Sequence, residues 1–539
     1  MPESRRIRWI LAGAAAVATA AAAVVTLIPP PGGMPVHRAK PDRGRELSAR
    51  YCSTCHLEPD PGILPKRSWE AALGYMGYWL GMEKLDYLSS HPRIAVENVR
   101  TRREVMMRDG LLPGAPALTL DEWDMLRDHY VRNAPATPLP QSGKPVLRRE
   151  LPRFRIAPCE YRMRPAVTTL VRIRPERREI YVGDALAQRL TVLDGEGRVR
   201  TTVEGADPGL SPVDIEFIDG AAYVGSIGDL VARQPSNSKP ARITAFPLRN
   251  ESPDGTGART VIDHLYRMAD MEPADLNGDG RLDFIVCGFG VLAGGVSWFE
   301  SRPDGGYVEH DLIPLPGAVR AQAHDFNGDG RPDIAVLLSH AREGFHILIN
   351  RGDGEFEDHV IFQTHPAYGH TWFELQDFDG DGRQDLLVVN GDAVDSDPYN
   401  TRKNYHGLRI YLNRGGLRFE EAYFYPMYGA FIAKARDFDR DGDLDIAAIS
   451  FYPDFSSDRP ESFAYLQNRG GLKFDAFTLD AAAQGRWMTL DAGDVDGDGD
   501  IDVVLGGSYI PLGMFAHLDL FRRLAETGPS LLILKNTLH

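Results

Sequence analysis

Cysteine is scarce in this chain of 539 residues: only four are present. That excludes a disulfide framework beyond one candidate pair, Cys159 and Cys287, and the pairing stays open because Cys287, in the apolar stretch FIVCGFG, also reads as a buried strand thiol. Positive charge is in deficit too. With 60 Lys and Arg against 76 Asp and Glu the formal net charge is −16, and the basic face that nucleic acid requires is absent. No Ser/His/Asp constellation or Gly-rich phosphate loop stands out. Long apolar runs are limited to one, Trp9 to Ile28.

That run follows Arg5, Arg6 and Arg8 and ends at Pro29. About twenty residues at roughly 1.5 Å each suffice to span a bilayer, and the positive flank should stay on the cytoplasmic side. Residues 1–33 are therefore expected to be an N-terminal membrane anchor, with a cleaved signal peptide as the alternative. Either way the remainder is exported, to the periplasmic side of a bacterial envelope. The length, with 43% hydrophobic residues, allows two or three domains and a large core.

What the chain has in excess is one acidic nonapeptide, repeated five times. The copies start at Asp275 (DLNGDGRLD), Asp325 (DFNGDGRPD), Asp377 (DFDGDGRQD), Asp437 (DFDRDGDLD) and Asp494 (DVDGDGDID). Oxygens at positions 1, 3, 5 and 9 can converge on one hard cation, and Gly at position 6 permits the turn that brings them together. The expected calcium ligands are Asp275, Asn277, Asp279 and Asp283; Asp325, Asn327, Asp329 and Asp333; Asp377, Asp379, Asp381 and Asp385; Asp437, Asp439, Asp441 and Asp445; and Asp494, Asp496, Asp498 and Asp502. Zinc would call for Cys or His, and magnesium for a tighter octahedron. An EF-hand needs Glu at position 12, where these loops carry Val286, Val336, Val388, Ala448 and Leu505. Twenty of the 76 acids lie in these loops, so up to five Ca²⁺ would offset most of the negative charge.

After each loop comes a short apolar run, and later a hairpin such as FHILINRGDGEF (Phe345 to Phe356) or LRIYLNRGGLRF (Leu408 to Phe419). Strand, acidic loop, strand, excursion and hairpin make a four-stranded propeller blade. This unit, from about Asp270 to the C-terminus, resembles the FG-GAP/VCBS repeat. Residues 146–270 keep the same rhythm without acidic loops, in hairpins at Val167 to Asp184 and Val213 to Gly225, which raises the expected blade count to seven. The last blade ends at LLILKN without a partner strand. A segment within Pro145 to Ala157 is expected to supply it and close the ring. The triplet Arg351-Gly352-Asp353 reads as a turn, because its sister repeats carry Arg-Gly-Gly.

Near the other end stands Cys52-Ser53-Thr54-Cys55-His56. C-x-x-C-H is the attachment pattern of haem c, in which two thiols bind covalently and the adjacent imidazole ligates iron. The surrounding residues 34–135 resemble a small class I cytochrome c, with helices expected over Arg43 to Cys55, Trp69 to Leu80 and Thr119 to Val131; Thr119 and Glu122 would form a capping box. Residues 136–145 read as a linker to the propeller, 146–539. For the distal iron ligand, the segment Leu64 to Gly81 resembles the cytochrome segment found fused to FG-GAP propellers and implies Met76. Class I spacing points instead to Met106 or Met107 in a loop before the last helix, and Met82 is a further alternative.

Three residues before the acidic loops lie Glu272, Gln322, Glu374, Lys434 and Asp491, a polar row expected to line the central channel either as a ligand site or as a charge-balanced lining. Arg267, Arg320, His370, Trp372, Arg486 and Trp487 are candidates for its mouth.

The fold class expected is thus an all-α cytochrome c domain followed by an all-β seven-bladed propeller. The function expected is single-electron transfer through one haem c to a redox partner protein of the envelope, with the calcium-bound propeller as a docking or ligand-binding module. A haem-linked dehydrogenase with its site in the channel is one alternative, an envelope adhesion or binding protein another. Fold alone does not decide between them.

Overall fold

The computed structural model describes residues 42–538 except 84–85, 204–210, 229, 231–237, 291, 393–396 and 398. The apolar run and its basic flank lie outside the described residues. Among those described, no helix is long and apolar enough to cross a membrane. The described residues from 43 onward belong to one compact unit.

Seven sheets make a seven-bladed propeller. Blade 1 runs β3 (Thr168–Arg174), β4 (Glu179–Asp184), β5 (Arg189–Asp194) and β6 (Val199–Val203). Blade 2 opens on β7 (Pro212–Ile218) and β8 (Ala221–Ser226), and blade 3 on β12 (Met268–Ala274) and β13 (Asp283–Gly288). Blade 4 holds β16 (Ala318–His324), β17 (Asp333–Leu338), β18 (Gly344–Gly352) and β19 (Glu355–Gln363). Blade 5 opens on β20 (His370–Gln376), β21 (Asp385–Asn390) and β22 (Gly407–Asn413). Blade 6 opens on β24 (Ala430–Arg436), β25 (Asp445–Ser450) and β26 (Phe463–Asn468), and blade 7 on β28 (Trp487–Gly493) and β29 (Asp502–Gly507). In blades 3 to 7 the acidic loop joins the first strand to the second, as Gln376 opposite Asp385 illustrates.

The second strands of those five blades are buried at every residue. Each is flanked by strands on both sides and by neighbouring blades on both faces, which is why the sequence after each loop is continuously apolar rather than alternating. The core is correspondingly a set of layers between blades. Leu387, Ile410, Ala433 and Ala448 fill the layer between blades 5 and 6, and Ile449, Tyr465, Leu490 and Val503 the next.

The missing outer strand of the last blade is found where it was expected. β2 (Phe154–Ala157) pairs antiparallel with β30 (Leu531–Asn536), Phe154 opposite Asn536, so the two ends of the propeller chain meet in one sheet. Phe154 packs edge-on against Phe438 and Tyr465 at 5.8 and 5.4 Å. Phe154→Ala is expected to lower the unfolding free energy by about 3 kcal/mol, read as a shift of the denaturant midpoint; no shift would mean that closure does not hold the ring together.

The helical region comprises α1 (Arg43–Tyr51), α2 (Lys66–Trp79), α3 (Arg93–Arg108) and α4 (Leu120–Asn133). Thr119 and Glu122 form the expected capping box at the start of α4. Helices α1 and α4 cross with backbones in contact: a Cβ on Gly44 would lie 2.4 Å from the Met125 carbonyl oxygen. α3 was not anticipated, and it takes Met106 and Met107 out of the loop expected for them into its last turn. Residues 136–145 lie along the propeller, with the Gln141 amide donating to the His406 carbonyl at 2.8 Å.

Candidate functional site

At the end of α1 the chain tightens into a 3-10 turn, Cys52–Thr54, ahead of Cys55 and His56. Short hydroxyl bonds fix the turn, Ser53 Oγ to the Ala49 carbonyl at 2.5 Å and Thr54 Oγ1 to that of Tyr51 at 2.7 Å. Both thiols are free, Cys52 half-buried and Cys55 exposed. His56 is buried, and its Nδ1 lies 2.7 Å from the Leu57 carbonyl. Only an Nδ1–H can donate there, which leaves the Nε2 lone pair for another partner. Burial pushes the Cys52 thiol up and holds the imidazole below its ordinary value, so His56 is neutral. Leu47, Leu64, Trp69, Met82, Trp123 and Tyr130 form the wall beside Cys52. Within it Ser48 Oγ and Tyr130 Oη are 2.5 Å apart, and the indole Nε1 of Trp123 is buried without a hydrogen-bond partner.

The four methionines fall in different places. Met82 is buried in this wall, Met76 is half-buried, Met106 packs in a separate cluster with Tyr78, Leu88 and Val99, and Met107 is exposed.

The propeller forms the other side of the site. Ser68 and Thr401 hydroxyls are 2.7 Å apart, Tyr405 donates to the Ile63 carbonyl at 3.2 Å, and Arg342 donates to the Thr54 carbonyl at 3.3 Å. His91 meets the Tyr399 hydroxyl through Nδ1 at 2.5 Å and Glu70 through Nε2 at 3.1 Å. From the loop joining β19 to β20, the His365 ring stands 5.2 Å from that of His56, at 86°.

The five acidic loops share one geometry. Gly280, Gly330, Gly382, Gly442 and Gly499 all have φ between 82° and 94°, the left-handed region that made position 6 a glycine. The first carboxylate accepts backbone N–H groups from within its own loop, as Asp377 does from Gly380 and Gly382 at 2.8 Å each. Carboxylate oxygens of Asp377, Asp379 and Asp385, of Asp437, Asp439 and Asp441, and of Asp494, Asp496 and Asp502 come within 4.8 Å of one another in each group. Asp439 Oδ1 is buried with no hydrogen-bond partner, as an oxygen reserved for a cation would be. The ninth residue has a second task that the spacing did not reveal. It is fully buried in all five loops and accepts the backbone N–H of Ser301, Asn350, Asn413, Asn468 and Asn536 in turn, tying the loop to the third strand. Burial, together with neighbouring carboxylates, pushes Asp445 and Asp502 up to about 7.

The polar row is engaged from blade to blade. Asp214 accepts Met271 N–H at 3.1 Å, Asp270 accepts Ala321 N–H at 2.9 Å and Glu272 accepts Ala323 N–H at 3.1 Å. Gln322 accepts Leu375 N–H at 3.1 Å, Glu374 accepts Ala435 N–H at 2.9 Å, and Asp491 accepts Ile173 N–H at 2.8 Å. Lys434 lies 3.8 Å from Glu374 and 3.7 Å from Asp491, while Arg172 reaches Asp214 at 3.0 Å. The row is thus a closed belt that ties each first strand to the next.

Burial pushes Glu216 and Glu272 up to about 7 and Asp270 to about 6 against the pull of Arg172 and Arg320. The sign follows: acids raised in the fold hold protons that the unfolded chain has released, so stability falls as pH rises from about 4.5 through about 7. With calcium saturating, the native chain is expected to lose on the order of 3 kcal/mol across that window. A Glu216→Gln, Glu272→Gln variant should show a flatter profile in denaturant titrations, and a native profile that rises with pH would refute the assignment.

The residues proposed for the channel mouth are also committed internally. Arg486 is fully buried and donates to the carbonyls of Phe451, Ile510 and Leu512, Trp487 donates to Ala482, and His370 pairs with Glu343. Arg320 stacks on Trp372 at 3.8 Å, and Arg267 donates to the Leu230 carbonyl. Cys159 and Cys287 are both free and belong to different core layers. Arg351 and Gly352 end β18 and Asp353 opens the hairpin turn to β19, with the Gly352 N–H donating to Asn350 Oδ1 at 2.9 Å.

A family model described as an FG-GAP-like repeat matches residues 275–336, 325–388 and 437–505, stretches that contain all five acidic loops. No curated protein matches. Among solved structures, the WD40 β-propeller domain of Doa1 aligns with 71% of this chain and 96% of its own at 10% identity and a TM-score of 0.42. A streptogramin B lyase aligns with 71% of this chain and 98% of its own, at 13% identity and 0.43. The RRP9 WD40 repeats align with 74% of this chain and 98% of their own, at 12% identity and 0.43. At these levels of likeness none of the three bears on function.

Proposed function

We propose that this seven-bladed propeller with FG-GAP-like repeats is the rigid platform of a one-electron carrier, whose redox group is a single haem c on the C-x-x-C-H turn. The observation that carries the reading is the turn itself: two free thiols on one turn of chain, followed by a neutral His56 whose Nδ1 is occupied by the Leu57 carbonyl. These donors fit the group. Cys52 and Cys55 would hold it through thioether bonds and His56 Nε2 would ligate the iron, while the unpaired indole N–H of Trp123 is a donor left over in the wall beside Cys52. When bound, the haem supplies reversible one-electron chemistry. The chain's own part is to hold the imidazole in one tautomer and to wall the site with Trp69, Tyr130 and Leu64.

The acidic loops are proposed to bind Ca²⁺, supported by their convergent carboxylates and by the unpartnered oxygen of Asp439. The belt favours a platform over a dehydrogenase with its site in the channel, because the row that would bind a substrate is bonded between blades. The apolar run at 9–28 would tether the carrier to a membrane, with a redox partner protein of the envelope as the other party to electron transfer.

The test is an absorption spectrum of protein purified from a host able to attach haem c, taken before and after reduction. Sharp reduced bands that survive acid-acetone extraction are expected. A protein without covalent haem would end the electron-carrier reading.

A further inference from the structure

We propose that the propeller supplies the second axial ligand of the haem: His365, facing His56 across the site, completes an iron centre shared between the helical region and blades 4 and 5. The inference rests on the haem reading above and names a residue that no motif in the chain points to.

Two imidazoles bound to one metal through nitrogens about 2.0 Å away have ring centres roughly 6 Å apart. The His56 and His365 rings are 5.2 Å apart and nearly perpendicular, at 86°, which is about 1 Å short of that separation. His365 also lies 6.4 Å from the ring of Trp69, which packs in the wall beside Cys52.

The loop that carries it is anchored at its start and closed by a turn of its own. Thr364 N–H donates to the Glu343 carbonyl and Tyr368 N–H to that of His365, each at 2.9 Å. Two residues on, Ala367 is fully buried in the same core cluster as Leu47, Trp69 and Met82, so the loop is part of the wall rather than a strand tip resting on it. The His365 ring accepts the Ala367 N–H on Nδ1 at 3.1 Å. Ligation through Nε2 requires the Nδ1–H tautomer, and so exchanges that one bond for a bond to iron.

The thioethers are less well placed. Met107 is exposed, and Met106 packs with Tyr78, Leu88 and Val99 in a cluster that lacks Cys52. Met76 is half-buried and belongs to neither cluster; Met82, in the wall itself, is the one serious competitor. The choice has a functional consequence. A second imidazole in place of a thioether sets a lower reduction potential, and it makes the redox centre depend on the docking of the helices against the propeller.

The experiment uses the full chain with haem attached. Covalent haem is scored first, by haem stain on a denaturing gel, because its absence would overturn the haem reading and this inference together. With haem present, the oxidised native protein is expected to be low-spin and to lack the long-wavelength sulfur-to-iron band. His365→Ala should keep its covalent haem, become high-spin, and return to low-spin on adding imidazole. His365→Met should gain the sulfur-to-iron band and a higher potential. A sulfur-to-iron band in the native protein that disappears in Met82→Ala or Met76→Ala would overturn the assignment while leaving the carrier reading intact. An unchanged low-spin spectrum in His365→Ala would do the same. Should the alanine variant fail to fold, the native spectrum and His365→Met decide the question.

Discussion

A Cys52→Ser, Cys55→Ser double variant, produced beside the native chain in a host able to attach haem c, is expected to retain no haem on a denaturing gel, while the native protein retains one per chain. The effect should be all or none because the two thiols are the only atoms available for thioether bonds at the C-x-x-C-H turn; Cys159 and Cys287 lie in core layers of the propeller. Either single variant should keep a weakened, one-armed attachment with an altered reduced spectrum. His56→Ala should retain covalent haem and lose the low-spin spectrum, since the bonds to the thiols and the bond to iron are chemically independent. The propeller provides the control. None of its layers between blades includes Cys52 or Cys55, so circular dichroism from its sheets should be unchanged. Haem surviving denaturation in the double variant would refute the site.

Chelating the proposed calcium is expected to give the second large effect. Each acidic loop gathers carboxylates that repel one another, within 4.8 Å in three of the loops, and the ninth residue of each is buried and bonded to the third strand of its blade. A cation bound there would therefore stabilise both the loop and the blade it joins. A ligand at 1,000 times its dissociation constant contributes about 4 kcal/mol per site. With several sites in one cooperative ring, chelation is expected to lower the melting temperature by at least about 10 °C, reversibly. Asp377→Asn should remove part of that shift and one bound ion, measured by metal analysis of the dialysed protein. Magnesium should restore less, because it demands a tighter, near-ideal octahedron and gives up its waters reluctantly. If an excess of chelator leaves the melting temperature within about 1 °C of the calcium-loaded value, the loops are turns and not metal sites.

Both predictions begin from short stretches that were readable before any fold was known, and the reason lies in their chemistry. The nonapeptide carries its turn, its ligands and its glycine within nine residues, so its conformation is set by its own backbone: five glycines at position 6 take the left-handed φ that the spacing demanded. The apolar runs after the loops identify the second strands because burial on both faces leaves no polar positions. Thr119 and Glu122 cap α4 through contacts three residues apart. Even closure by residues near Ala157 could be inferred, since a last blade lacking its outer strand must take one from elsewhere.

Other features were not legible. Every first strand has a register break near its start, as at Ala318/Arg320 and His370/Trp372, and this shifts which side chains reach the channel. A one-residue bulge leaves no mark in composition. The polar row could be located but not interpreted, because whether Glu374 faces water or accepts Ala435 N–H depends on where the next blade lies. Met106 and Met107 were expected in a loop and stand in a helix, α3, whose weak apolar pattern concealed it.

The sequence by itself therefore determined the repeat, the acidic loops, the strand order within a blade and the C-x-x-C-H turn, all of which depend on contacts between near neighbours along the chain. Only the tertiary structure decided that the polar row is a belt between blades, that the ninth Asp anchors a third strand, and that His365 stands 5.2 Å from His56. Those depend on pairs brought together by packing far along the chain, where the identity of one residue carries no trace of its partner.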